Sequence, residues 1–596
     1  PATRVPTFAL AVEVCMSAPT VAADPAPVVP ASPSRRRGAR VRQDPVTLIL
    51  VIAVCAILGL LVVLPVLTIL ARAFSTDGLS TLADVFTSSV NRKILLNTVV
   101  LGAVVGVVGT AIGFALAYAQ ARLEFRGKKV LHLLALLPIV SPPFAIATAS
   151  ITLFGRSGII SNQLLGQQWN IYGLPGLTLV LSLSFFPVAY MNLLGMLRSL
   201  DPATDEAAAS LGASKWQVFR TVTFPMLIPG IASSFLLLFV ESIADLANPL
   251  VLGGDYTVLA SRAYIAITGE YNVPGGAAYS VVLLLPALLV FLLQRYWAGR
   301  SSTVTVTGKP SGRVELLRGF WGRVPLLTFC AFIVTLIVLI YGTVLVGGFV
   351  GILGINNTLT LDHYSYLLSG IGNDAIIDTT MLALIATPIA GVMGMLIAWL
   401  VVARLRRGRA VLDFLGMLGL AVPGTVLGIG YAVTFNSPVE LFGIRILPAV
   451  AGGGAILGGA MAIVMVYIAR SMPAGQRSGV AALQQIDPAI DEASTSLGAS
   501  GLSTFRRVTL PLIRPAFLAG LTYAFARSMT TVTPIIFITT PHTRIMTSQI
   551  LSEVDAGRYG NAFAYCTILI IIVLTVMGLM NLIVRDRSPR PITAGL

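Results

Sequence analysis

The chain has 596 residues, of which 56% are hydrophobic and only 11% charged, and its mean hydropathy is +0.87. A soluble domain ordinarily carries roughly 25% charged residues, so this composition excludes one and defines a polytopic membrane protein. The formal net charge of +15 does not point to nucleic acid, because no basic stripe lies on a soluble module and no zinc-finger or RNA-recognition signature is present.

Residues 1–44 are rich in Pro, Ala and Val and carry Arg35, Arg36, Arg37, Arg40 and Arg42; they are predicted to form a disordered cytoplasmic tail. Twelve apolar stretches follow, most of them long enough for the roughly 30 Å of hydrocarbon in a bilayer. They lie near 46–71, 97–121, 130–154, 173–197, 225–251 and 276–297, then 325–350, 379–403, 410–435, 446–469, 511–538 and 560–584. With the tail in the cytoplasm, the loops 122–129, 198–224, 298–324, 404–409 and 470–510 and the C-terminus fall on the same side. Together with Arg295 and Arg514 at the adjoining helix ends they hold about 31 of the 40 Lys and Arg residues, the bias that marks inner loops. The basic balance is therefore a topological signal. The cysteines Cys15, Cys55, Cys330 and Cys566 are scattered, with none at metal-ligand spacing, and are read as small buried hydrophobes.

Two of the inner loops say nearly the same thing. Residues 201–229 read DPATDEAAASLGASKWQVFRTVTFPMLIP and residues 487–515 read DPAIDEASTSLGASGLSTFRRVTLPLIRP, superposing without a gap at an offset of 286. In each copy Asp-Pro supplies a cap and a proline at the first helical position. An acidic pair follows where the positive end of the helix dipole favours it. A small-residue face comes next, then Gly212 or Gly498 ends the helix, and a second short helix is expected to end at Phe224-Pro225 or Leu510-Pro511. A helix with a flat face and a glycine elbow is suited to docking in a groove of another protein. The duplication reaches upstream: Arg126-Gly127-Lys128 matches Arg407-Gly408-Arg409 and Ser141-Pro142 matches Val422-Pro423, at an offset of 281. Two six-span units, 45–298 and 325–585, are thus expected, with a cytoplasmic linker 299–324 and a cytoplasmic tail 586–596. An even number of spans per unit makes the halves parallel, related by an axis along the membrane normal.

The duplicated loop resembles the EAA loop of the inner-membrane permeases of binding-protein-dependent ABC importers: Glu-Ala-Ala, three residues, Gly, then Leu-Pro about a dozen residues on. The second copy departs in having Ser494 and Thr495 where the first has Ala208 and Ala209; all four are small. The resemblance implies an all-α polytopic membrane protein with the type I importer permease fold, in a bacterial inner membrane, with both termini cytoplasmic. It implies that Asp205, Glu206, Ala207 and Gly212, with Asp491, Glu492, Ala493 and Gly498, couple the chain to two copies of a cytoplasmic ATPase subunit. A periplasmic substrate-binding protein would deliver the cargo. ATP and magnesium would sit on the ATPase partners, and this chain would bind no cofactor. The stretch ADLANPLVLGG is most similar to the ferric-iron branch; an organic phosphate or phosphonate, thiamine or a polyamine are the alternative cargoes.

Charges deep in a span are expensive and mark function or packing. Glu241 and Asp245 lie four residues apart on one helical face, and Arg527 occupies the position 286 beyond Glu241. These three are the candidate pathway residues: Glu241 and Arg527 are expected to pair across the pseudo-twofold axis, leaving Asp245 to meet substrate or hold a gate. The same charges could instead only hold the bundle together. Pro249 and Pro534 are expected to end these two spans near the outer face. No Gly-x-x-x-x-Gly-Lys-Ser/Thr loop is present, and His132, His363 and His542 form no His-x-x-x-His pair, so neither an ATPase nor a zinc hydrolase is supported. An ion-gradient-driven secondary transporter shares the twelve-span parallel-repeat architecture, but the duplicated docking loops argue against it.

Overall fold

The computed structural model describes residues 45–298 and 320–585, apart from 406, 442 and 500. The tails 1–44 and 586–596, linker residues 299–319 and Cys15 lie outside the described residues. Two units are distinguished, residues 1–48 and 49–596. Of the first, only 45–48 are described, and they are helical.

Ten described helices are long and apolar enough to cross a membrane, and two further bent pairs bring the number to as many as twelve. The duplication in the sequence is repeated in the helices. Ser89–Arg122 corresponds to Ile371–Trp399, Leu174–Ser199 to Ala460–Leu483, Phe224–Ala244 to Arg514–Thr530 and Val273–Ala298 to Tyr559–Arg585. The short helices correspond too, including the loop helices Pro202–Ser210 and Pro488–Ser496. Among the described residues the strands form two antiparallel hairpins, Val350–Ile352 with Asn356–Leu359 and Val439–Leu441 with Ile444–Leu447.

Small residues let the central helices approach closely. In each half the long second span packs against the fourth. A Cβ on Gly113 would sit 2.7 Å from Ala189 Cβ and 2.8 Å from Tyr190 N; one on the equivalent Gly394 would sit 2.7 Å from both Gln476 N and Met472 O. Without a hydrophobic force between helices in lipid, such backbone-to-backbone fit is the main source of their association.

The halves interlock. The second part of the first span, Leu64–Ala73, packs on Gly424–Thr434 of the second half, where Tyr431 Oη donates to the Leu61 carbonyl at 2.7 Å. Its counterpart, Phe320–Gly347, packs on Pro143–Phe154 and Ser89–Arg122 of the first half, where Tyr341 and Ser141 share a hydrogen bond of 2.6 Å.

The structure corrects several boundaries. The segment 130–154 is two helices, Lys128–Val140 and Pro143–Phe154, because Ser141-Pro142 interrupts it; its counterpart, Arg409–Ala421 with Gly424–Thr434, bends by 96°. The span placed at 446–469 is in fact Ala460–Leu483. Residues 444–447 pair as a strand, and the left-handed backbone of Gly458 and Gly459 (φ 60° and 91°) delays the helix. The inner loop therefore begins after Leu483, and Arg470 belongs to a span. The second short helix of the first loop does not end at Phe224-Pro225: Lys215–Ala244 is one continuous helix of 30 residues, in which a π-helical turn, Phe219–Thr223, leads directly into Phe224-Pro225. The second copy bends by 64° shortly after the equivalent Leu510-Pro511, at Ile513. The two membrane helices end at Ala244 and Thr530, before Pro249 and Pro534, and residues 320–324, read as linker, are already helical in Phe320–Gly347.

Gly394→Val overpacks a backbone contact and is expected to cost about 1–3 kcal/mol, lowering the thermal unfolding midpoint of the purified protein in detergent. Gly342→Val, where a Cβ meets nothing within 4 Å, is the matched control and should leave the midpoint in place.

Candidate functional site

The first loop helix is built as its residues dictate. Asp201 Oδ1 accepts from Ala203 N at 3.0 Å, Pro202 opens the helix, and Gly212 (φ 86°) turns the chain into a second helix. That helix is opened by a reciprocal cap, with Ser214 N donating to Gln217 Oε1 at 2.7 Å and Gln217 N to Ser214 Oγ at 3.3 Å. The acidic pair divides its labour. Asp205 is buried: Arg122 Nη1 lies 2.7 Å from its Oδ2, and Thr223 Oγ1 donates to Oδ1 at 3.2 Å. Glu206 and Ala207 face outward, flanked by Leu211 at 90% exposure and Trp216 at 67%. Asp205 thus pins the loop to the end of the second span, while Glu206 is exposed on its outer face. In the second copy Asp487 caps Ala489 N at 2.9 Å, Gly498 adopts φ 81°, Ala493 is exposed and Leu497 is 89% exposed. The backbone of Asp491 and Glu492 is helical, but their side chains lie outside the described residues. The departure at Ser494 has a local reason: its hydroxyl shares a 2.8 Å hydrogen bond with Thr504.

The elbow of the first loop continues without a break into the helix that carries Glu241, roughly 40 Å further along at about 1.5 Å per residue. There Glu241 Oε1 lies 3.6 Å from Arg527 Nη2, an ion pair longer than a direct hydrogen bond. Asp245 ends the helix and is committed locally, its Oδ2 accepting from both Asn248 N at 3.0 Å and Asn248 Nδ2 at 2.9 Å. Glu241, Asp245 and Arg527 line one cavity of about 70 Å³, between the helix starts at Pro143 and Gly424 and the segment Thr530–Pro534. That is smaller than a roughly 150 Å³ cavity able to admit benzene.

A fourth charged residue, Arg470, lines the same cavity. Its Nη1 donates to the carbonyls of Gly419 at 3.2 Å and Val422 at 3.1 Å, at the 96° break. The sequence reading left it in a cytoplasmic loop. The repeat held the signal: shifting the fourth apolar stretch, 173–197, by 286 gives 459–483, which contains Arg470 in mid-helix.

At the opposite end of the bundle lies a cavity of about 1120 Å³ whose lining includes Lys93, Arg156, Asp255, His363 and Arg558. Beside it, Arg558 Nε and Nη2 bind Glu553 at 2.6 and 3.0 Å, Asn561 Nδ2 donates to Glu553 at 2.9 Å, and Asn561 Oδ1 faces His363 Nδ1 at 2.7 Å. Burial works against ionisation of Glu553, but the hydrogen bonds from Arg558 and Asn561 outweigh it and hold the carboxyl below its usual range. Among the described residues no group of three or more His, Cys, Asp or Glu could hold a metal ion.

A duplicated bundle of membrane-crossing helices, with paired loop helices at one end and a charge cluster in its interior, defines a multi-pass transport protein of pseudo-dimeric build. The chain belongs to the family of binding-protein-dependent transport system inner membrane components, whose pattern matches residues 109–303 and again 390–589. It is similar to the ferric transport system permease FbpB of Actinobacillus pleuropneumoniae, 35% identical over 523 residues, covering 84% of this chain and 72% of that one. A putative ferric transport system permease of Haemophilus influenzae is 35% identical over 475 residues, covering 77% and 72%. The thiamine transport permease ThiP of Salmonella typhimurium is 28% identical over 345 residues, covering 55% and 60%. A crystal structure of a bacterial ABC transporter that imports alginate aligns with a TM-score of 0.37 at 19% identity, over 45% of this chain and 96% of that one.

Asp205→Asn removes the charge that pins the first loop and leaves Arg122 buried without its counter-ion, a local cost of the order of 1–3 kcal/mol. Trypsin cleavage at Lys215 or Arg220 should accelerate about tenfold, as read by digestion of the purified protein. The depressed Glu553 carboxyl contributes stability that is fully present above its unfolded value near pH 4.5 and is lost as pH falls through the lower folded value. Thermal midpoints measured from pH 7 to pH 3 should therefore fall more steeply at the acid end for the wild type than for Glu553→Gln.

Proposed function

We propose that this chain forms the translocation pathway of an ATP-driven importer for ferric iron and couples that pathway to two cytoplasmic ATPase subunits. Iron is carried over from the two relatives described as ferric transport permeases, each 35% identical over most of this chain. The observation that carries the coupling is the continuous helix Lys215–Ala244, with the exposed Glu206 face at its elbow and Glu241 near its far end.

On this reading both loops and both termini face the cytoplasm, the halves 45–298 and 325–585 are joined by a cytoplasmic linker, and a periplasmic binding protein docks at the opposite end. Glu206 with Ala207 and Gly212, and their counterparts Glu492, Ala493 and Gly498, seat the ATPases, while Asp205 and Asp491 brace the loops from behind. ATP and magnesium belong to those partners, and this chain supplies neither hydrolysis nor a cofactor. Closure of the ATPase pair moves the two elbows together. The first transmits that motion as a rod to Glu241, and the second, bent by 64° at Ile513, transmits it to Arg527 with more give. Separation of Glu241 from Arg527 then opens the small cavity between them.

Purification of the chain with its operon neighbours should recover two ATPase subunits per chain. Glu206→Arg should cut uptake of labelled iron by at least about tenfold in cells that still hold the chain in the membrane. Uptake that persists without an ATPase and collapses on adding an ionophore would instead establish an ion-gradient-driven carrier.

A further inference from the structure

The small cavity between the halves has a charge balance that bears on what can pass it. Its formal charge is balanced, two acids against two bases: Asp245 Oδ2 accepts from the backbone and side-chain N–H groups of Asn248, and Glu241 faces Arg527. The N–H donors of the two bases are not all used. Arg470 employs one terminal nitrogen on two backbone carbonyls, and its buried Nε has no hydrogen-bond partner; Arg527 holds Glu241 only loosely, at 3.6 Å. A guanidinium presents several N–H donors in a fixed fork that suits carboxylate and phosphate oxygens. A hard cation instead needs several converging oxygen ligands, whereas this cavity sets two guanidiniums beside its two carboxylates. Nor does the fold require an arginine at the position of Arg470. The residue equivalent to Arg470 in the first half is Ser184, whose hydroxyl donates to the Val180 carbonyl.

We propose that the cargo crosses this constriction as an anion, so that iron passes only inside a net negative chelate, recognised by Arg470 and Arg527. The inference rests on the reading above that this cavity lies on the route. Glu241 is then the resident carboxylate that an incoming anion displaces from Arg527, and Arg470 supplies the second fork from the broken helix pair. The shared chemistry is a phosphate- or carboxylate-bearing anion, with or without a ferric ion.

The test uses the complete importer, with its ATPases and binding protein, in proteoliposomes. It is given ⁵⁵Fe with ³³P-phosphate, ⁵⁵Fe with ¹⁴C-citrate and, separately, ¹⁴C-glycerol phosphate without iron. Entry of one anion label with iron at a constant ratio is the expected result. Iron entering with neither anion label overturns the proposal while leaving the iron importer standing. Glycerol phosphate entering without iron supports an anionic cargo and overturns the iron reading. Entry of no label at all overturns both. The sign of the charge variants gives a second, independent readout: Arg470→Gln and Arg527→Gln should each lower the initial rate at least tenfold, Arg470→Lys should recover part of it, and Glu241→Gln should raise it. The opposite pattern, with Glu241→Gln abolishing uptake and Arg527→Gln raising it, identifies a cationic cargo and overturns the proposal.

Discussion

Hydrocarbon offers no water to a carbonyl or amide that leaves the helical ladder, so every break in a membrane helix must bring its own partners. This chain breaks four helices at pairwise equivalent places, and two of the groups that satisfy those breaks, Asp245 and Arg470, line the cavity at its centre. At Ser141-Pro142 the Ser141 hydroxyl meets Tyr341 of the other half. At Val422-Pro423 the freed carbonyls of Gly419 and Val422 take N–H groups from Arg470. The helix ending at Ala244 is followed by Asp245, which binds Asn248, and at the equivalent Thr531 the carbonyl accepts from Thr547 at 3.1 Å. Two members of the charge cluster, Asp245 and Arg470, thus also hold backbone groups freed at the breaks.

The duplication is close in backbone and loose in chemistry. Equivalent crossings repeat down to the glycine, Gly113 against Ala189 and Tyr190 in one half and Gly394 against Gln476 in the other. The polar contacts at equivalent positions do not repeat. His132 pairs with Tyr190 in the first half, whereas Asp413 accepts from Gln476 in the second and also takes an ion pair at 2.7 Å from Arg295 of the first half. Packing geometry tolerates few substitutions, because an added methyl group would strike backbone. Polar contacts need only a donor and an acceptor, so the halves could diverge there, and the Glu241–Arg527 contrast is the clearest case.

The two loop helices show a similar division. The outward faces match, with Leu211 and Leu497 both exposed beside glycines of left-handed backbone. The connection behind them differs, continuous at Lys215–Ala244 and bent by 64° at Ile513 in the second copy. On the proposed coupling, a continuous link and a bent one, attached to the acidic and basic partners of a single pair, would give the two halves unequal strokes.

The sequence by itself determined the class of fold, the approximate spans, the duplication and the paired loop helices. Hydropathy and an ungapped repeat are local properties, and they survive without knowledge of what packs on what. It also placed Glu241 and Arg527 at equivalent positions and led to the expectation that they pair; the structure supplies the distance, 3.6 Å. Only the tertiary structure decided which acid of the pair Asp205-Glu206 is buried, because that depends on Arg122 arriving from a distant span. It likewise decided that Asp245 is held by Asn248, and that Arg470 belongs to the membrane interior. A window of hydropathy counts an arginine as solvent-seeking; whether its charge is tolerated inside depends on carbonyls freed by a broken helix some fifty residues away in the chain, which no local pattern encodes.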